Sequence, residues 1–272
     1  MISNFLSRFF KNNHQTIVTQ FEPPADLTAP ELGLLYDGRQ GRLELLAGIY
    51  QLKTKKLIEI QRNPANKTEL TLLRYPPSEL KNYEDMLLRF FFHASKTVFL
   101  EDYFDKLEFV LLRAYFHHSV TRSLQQKNLI TTEGSIESLS YLEYLDVMYN
   151  DPSIANTELI KAVKPRKLTD NGKKLTAMID GFKHYIETAE LEKIKFHASG
   201  DLQEYIEKLT PYAIALDQME RWRMINIPFA QVIDSTYIDE TSSKNIVGVD
   251  NYFAEFRRLA RQIDGYKIEY SV

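Results

Sequence analysis

The chain has 272 residues, of which 44% are apolar and 26% charged; its formal charge is −3 and it has no cysteine. That composition suits an ordinary globular protein of one large or two to three small domains, and it excludes disulfides, thiolate metal sites and cysteine nucleophiles. The near-neutral total gives no whole-chain field toward nucleic acid or membrane, so such a partner would need a local patch.

Ile2, Phe5, Leu6, Phe9 and Phe10 recur at helical spacing. This stripe has two readings: a terminal helix docked on the core, which the pattern favours, and a membrane-surface anchor through residues 1–11, with Arg8 and Lys11 beside the apolar face. The charges interrupt the stripe too early for a signal peptide, and no apolar run of about 18 residues follows anywhere.

Thr16 to Phe21 reads as extended, and Glu22-Pro23-Pro24 bars a helix. Thr28 with Glu31 predicts a capping box opening a helix through Tyr36, stopped by Gly38. A second helix is expected from Gly41 to Thr54, burying Leu43, Leu46, Ala47 and Tyr50. Leu57–Arg62 and Glu69–Tyr75 read as strands of a hairpin, and Ser78 is expected to cap a helix through Phe92. Helix, helix and hairpin together outline a winged helix.

A helix from Phe104 to Gln126 and a strand at Leu129–Thr132 repeat the pattern. Leu52, Lys55, Leu57 and Ile58 reappear at one constant offset as Leu124, Lys127, Leu129 and Ile130. Leu168 to Leu175 then reads as a closing wing strand turning into a helix, which makes residues 134–165 an insertion in a second wing.

The next stretch puts Met178, Phe182, Tyr185, Ile186 and Ala189 on one helical face. Asp201 with Glu204 predicts a further capping box, and Thr210-Pro211 predicts another helix start, with Tyr212, Ala213, Leu216 and Met219 inward and the single tryptophan, Trp222, one turn later. Residues 225–250 are weakly patterned, and Tyr252, Phe253, Phe256, Leu259, Ala260 and Ile263 suggest a last helix. The fold class expected is therefore mainly α with small β-hairpins. Its parts are a lead-in (1–20), winged-helix-like units (21–92 and 93–178), a helical signature region (179–224) and a tail with a helix (225–272).

Three blocks carry a family resemblance. Glu22-Pro23-Pro24 through Gly38, Gly181-Phe182-Lys183-His184-Tyr185 through Glu190, and Leu209-Thr210-Pro211-Tyr212-Ala213 with Trp222 together resemble YciQ-like predicted bacterial membrane proteins, the domain of unknown function 2207 family. The resemblance implies a cytoplasmic C-terminal region, with Gly181, Phe182, Tyr185, Pro211, Tyr212 and Trp222 as structural signature residues. It also implies an extracytoplasmic domain and apolar segments that this sequence lacks. The chain therefore reads as a free-standing version or a piece of a longer one.

No constellation points to catalysis, a cofactor or a metal. The six histidines never fall at i, i+3 or i, i+4, and no nucleophile elbow or phosphate-binding glycine loop occurs. Glu190 with Glu192 and Asp217 with Glu220 sit among basic residues, as on solvated faces. Two basic clusters remain: Arg39, Arg42, Lys53, Lys55 and Lys56 around the second helix, and Lys161, Lys164, Arg166, Lys167, Lys173 and Lys174 before the signature helix. They admit a solvated surface, nucleic-acid phosphates or anionic lipid as readings. The sequence supports best a non-catalytic cytoplasmic interaction or regulatory module with a protein partner. A winged-helix DNA-binding regulator and a peripheral protein at the inner face of the membrane stand as alternatives.

Overall fold

The computed structural model describes residues 19–24, 26–38, 42–65, 67–74, 80–103, 107–132, 166–188 and 202–222. The stripe of residues 1–11, Ser78, the insertion at 134–165, Ala189, Asp201 and the expected helix around Tyr252–Ile263 lie outside them. The described chain is mainly helical, with a three-stranded and a two-stranded antiparallel sheet.

Helix α1 (Ala29–Asp37) begins at the predicted capping box: Thr28 accepts from the Glu31 amide, and the Glu31 carboxylate accepts from the Thr28 amide at 2.8 Å. Gly38 ends it at φ 77°. Helix α2 (Arg42–Thr54) turns through Lys56 into strands β1 (Ile58–Arg62) and β2 (Thr68–Leu72). Helix α3 begins at Asn82, not at Ser78, because the Glu84 carboxylate accepts the Lys81 amide at 3.1 Å and makes Lys81 the cap. It ends at Phe92, and β3 (Thr97–Phe99) then pairs with the far side of β2, giving the order β1-β2-β3. This third strand was not visible in the sequence, since three residues are too few for a period-2 signal. Helix α4 (Leu107–Gln126) leads to β4 (Ile130–Thr132), which pairs with β5 (Arg166–Leu168) across the 134–165 segment.

The offset of 72 residues marks a real geometric echo. Lys56 (φ 55°) and Asn128 (φ 54°) both take the left-handed conformation. Leu57 N donates to Leu52 O at 3.0 Å, and Leu129 N to Leu124 O at 3.0 Å. Lys56 N donates to Lys53 O at 2.7 Å, and Asn128 N to Gln125 O at 2.8 Å. Each helix thus ends in a Schellman motif. The two hairpins close alike too: Leu73 N donates to Leu57 O, and Thr169 N to Leu129 O.

Thr169 then caps α5 (Asp170–Thr188) through its hydroxyl, 3.0 Å from the Gly172 amide. A Cβ on Gly172 would stand 2.1 Å from Leu129 O, so only glycine lets α5 leave this close to β4. On the other side, a Cβ on Gly48 would meet the Phe116 ring at 2.9 Å, where α2 and α4 pass closely.

β3 pairs with β2, and both helix–helix–hairpin units share one apolar core. Two expectations about the signature region need correction. First, Met178 is 40% exposed rather than inward, so the buried face of α5 is Ile179, Phe182, Tyr185 and Ile186. Second, Thr210-Pro211 does not start a helix but lies inside α6 (Leu202–Ala215). Proline removes the amide that would bond Glu207 O. The Thr54 hydroxyl of α2 lies 3.3 Å from that freed carbonyl and 3.1 Å from Tyr50 O. Tertiary context thus supplies what proline took away, and α6 packs lengthwise on α2 and across α1.

Candidate functional site

The first basic cluster does not form a single patch. Arg42 opens α2 while Lys53 closes it, and eleven residues of helix separate them by roughly 16 Å. Lys55 turns inward: its ammonium bonds both oxygens of Glu84, within 2.7 Å, and Glu84 is 1% exposed. Its charge is therefore neutralised rather than offered to phosphate. Lys53 is half-buried, and Lys56 is exposed at the left-handed turn. In the second cluster, Arg166 and Lys167 lie on β5, with Lys167 exposed, and Lys173 pairs with Asp170 at 2.9 Å on the surface. Arg39 and Lys164 lie outside the described residues.

The echo of Lys55 is Lys127, and it behaves alike. Lys127 bonds the fully buried Glu31 at 2.8 Å and also donates to Asp26 O. Burial alone would push the Glu31 carboxyl up, but the Lys127 and Ser123 hydrogen bonds and the Thr28 amide outweigh it and hold it below the usual carboxylate range. The partners are crossed: the lysine ending α2 grips the first turn of α3, and the lysine ending α4 grips the first turn of α1. The capping glutamate Glu31 was legible in the sequence. Its partner 96 residues away was not, and only the shared offset of Lys55 and Lys127 hinted at a common role.

Two signature residues, Tyr185 and Tyr212, reach the Phe21–Leu27 segment, joined there by Tyr205 and Lys208 of α6. Phe182 and Trp222 are fully buried, Gly181, Tyr185 and Pro211 are buried, and Tyr212 is half-buried. Tyr212 donates to Leu27 O at 3.0 Å, Tyr205 donates to Phe21 O at 3.0 Å, and Phe21 meets the Tyr185 ring edge-on at 5.4 Å. Lys208 pairs with Glu22 at 2.9 Å on the surface. The Trp222 indole donates to the Thr210 hydroxyl at 3.0 Å, and that hydroxyl donates to Ile206 O at 2.8 Å. Burial, followed by the neighbouring carboxylates Glu31 and Glu22, pushes Tyr212 up to about 12. Burial likewise raises Tyr185 and Tyr205. The Tyr205 and Tyr212 phenols stay protonated as donors to backbone, and Tyr185 packs its ring on Phe21, so side chains of α5 and α6 close on the Phe21–Leu27 segment.

Among the described residues no group of three or more His, Asp or Glu side chains could hold a metal ion, and no helix is long and apolar enough to cross a membrane. Comparison with family models, with characterised proteins and with solved structures finds no match for this chain.

Proposed function

We propose that the chain is a non-catalytic interaction or regulatory module built from two winged-helix-like units, related to the cytoplasmic regions of YciQ-like predicted membrane proteins and acting beside such a membrane partner. One observation carries this reading: the buried ionisable groups are used to lock elements together. Lys55 holds Glu84, Lys127 holds Glu31, and the Tyr205 and Tyr212 phenols hold the Phe21 and Leu27 carbonyls. A catalytic site keeps such groups convergent on an open space. The helix–helix–hairpin order, repeated with the same Schellman turn, supports the winged-helix reading, and fold alone does not give it a partner.

Affinity capture from native cells at about 0.15 M salt, where loose charge pairing is screened, tests it. A stoichiometric protein partner that is lost on changing exposed hairpin residues is the expected result. A gel shift with genomic DNA that falls steeply with salt and disappears on Lys53→Glu, Lys56→Glu and Lys167→Glu would replace it with the DNA-binding regulator. Liposome sedimentation that depends on Phe5 and Phe9 would replace it with peripheral membrane attachment.

A further inference from the structure

The two units share a frame and differ on one helix face. At the common offset, Leu46, Ala47 and Tyr50 of α2 correspond to His118, Ser119 and Arg122 of α4. The α2 residues are buried, and α6 packs along that helix. The α4 residues are half-buried, and together with Lys81, Tyr83 and others they line a cleft of about 170 Å³ between α4 and the start of α3. We propose that this cleft is a binding site for a phosphate-sized oxyanion.

The chemistry of the lining carries the assignment. Lys81 and Arg122 contribute two cations, and no carboxylate lines the cleft. Two of its hydroxyls are already engaged: Tyr83 with Thr28 at 2.6 Å, and Ser123 with Glu31. Two buried carboxylates stand behind the lining, Glu31 against Ser123 and Glu84 against the Lys81 amide, and each is paired with a lysine outside the lining, Lys127 and Lys55. Ser119 and Arg122 belong to the lining, and a guanidinium presents a planar fork that suits two oxygens of a phosphate. The frame itself does not require a cation there, because tyrosine occupies the echoed position in the first unit. The cleft is smaller than the roughly 300–1,000 Å³ typical of larger ligands, which favours a single anionic group over a whole cofactor.

Titration of the full chain with inorganic phosphate by calorimetry and by amide NMR tests the site, at about 0.15 M chloride so that surface pairing is screened. Saturable binding is expected, with shifts centred on residues 81–83 and 115–126. Arg122→Gln and Lys81→Gln should each weaken it by about tenfold or more, since each removes a charge-assisted donor. Glycerol 3-phosphate distinguishes the sources: equal affinity assigns free phosphate, and tighter binding assigns a phosphoryl group on a larger molecule. Should Arg122→Gln misfold, Arg122→Lys keeps the charge, and phosphate should protect Arg122 of the wild type from phenylglyoxal. Absence of saturable binding, binding unchanged in both Gln variants, or shifts centred elsewhere would each overturn the proposal.

Discussion

The first and second helix–helix–hairpin units solve one local problem identically and a larger one differently. Both end their second helix in a left-handed residue, both follow it with a lysine-anchored turn, and both close the hairpin with the same backbone bond. The first is then capped by α6, which covers α2 and α1, and its helix face is apolar accordingly. The second carries histidine, serine and arginine on the corresponding face. Backbone terminations repeat because hydrogen-bond geometry at a helix end has few solutions. Side-chain faces diverge because what packs on them differs.

The largest expected effect comes from the core beside α6, the helix that covers the first unit. Trp222 is fully buried and donates to Thr210 within α6. Trp222→Ala should cost about 3–5 kcal/mol in denaturant melts, as truncations of large core aromatics do. Thr210→Val leaves the indole N–H without its acceptor and should cost about 1–3 kcal/mol. If Trp222→Ala were nearly neutral, the turn after α6 would not be held in the core, and the cover that α6 gives the first unit would rest on its contacts with α1 and α2 alone.

The crossed ion pairs give the next test. Glu31→Gln and Glu84→Gln each weaken a charge-assisted pair in the interior and should each cost about 2–3 kcal/mol. Because the lysines remain 23% and 36% exposed, each can turn partly toward water, which keeps the loss below that of a stranded charge. Glu31 adds a pH signature. Its folded pKa is lowered from 4.5, so its contribution is fully present above that value and is lost as pH falls through the lower folded one. Wild-type stability should therefore drop in acid below about pH 4.5, and Glu31→Gln should flatten part of that slope. A slope unchanged in Glu31→Gln would mean that the Lys127 pair does not persist in solution.

What the sequence made legible was local. The capping box at Thr28 and Glu31, the glycine stop at Gly38 and the α2–hairpin turn depend on neighbours within a few residues, and all stand where spacing placed them. What it concealed needed partners far along the chain. The Thr210-Pro211 step has the residue types of a helix start, yet α6 continues because Thr54 reaches Glu207 O from α2. Lys55 reads as a phosphate contact by composition, but a glutamate 29 residues away claims its charge. Met178 fits the helical period of Phe182 and Tyr185, but it lies at the edge of the stripe and points outward. The oxyanion cleft left even less trace, since Lys81 and Arg122 are 41 positions apart and belong to no motif.

The smallest effect separates the two echoed turns themselves. Lys56 and Asn128 share a left-handed φ, but the conformation is costly for a long side chain and tolerated by asparagine, whose short amide bonds locally. Glycine relieves that strain and gives back part of the gain as unfolded-state entropy. Lys56→Gly should therefore stabilise the chain by about 0.5–1 kcal/mol, while Asn128→Gly should change it by about 0.3 kcal/mol or less. Equal gains at the two turns would show that residue type plays no part in their strain. A loss at Lys56 would mean that its exposed ammonium makes a stabilising contact, and the same variant in a gel shift would then show whether that contact extends to nucleic acid.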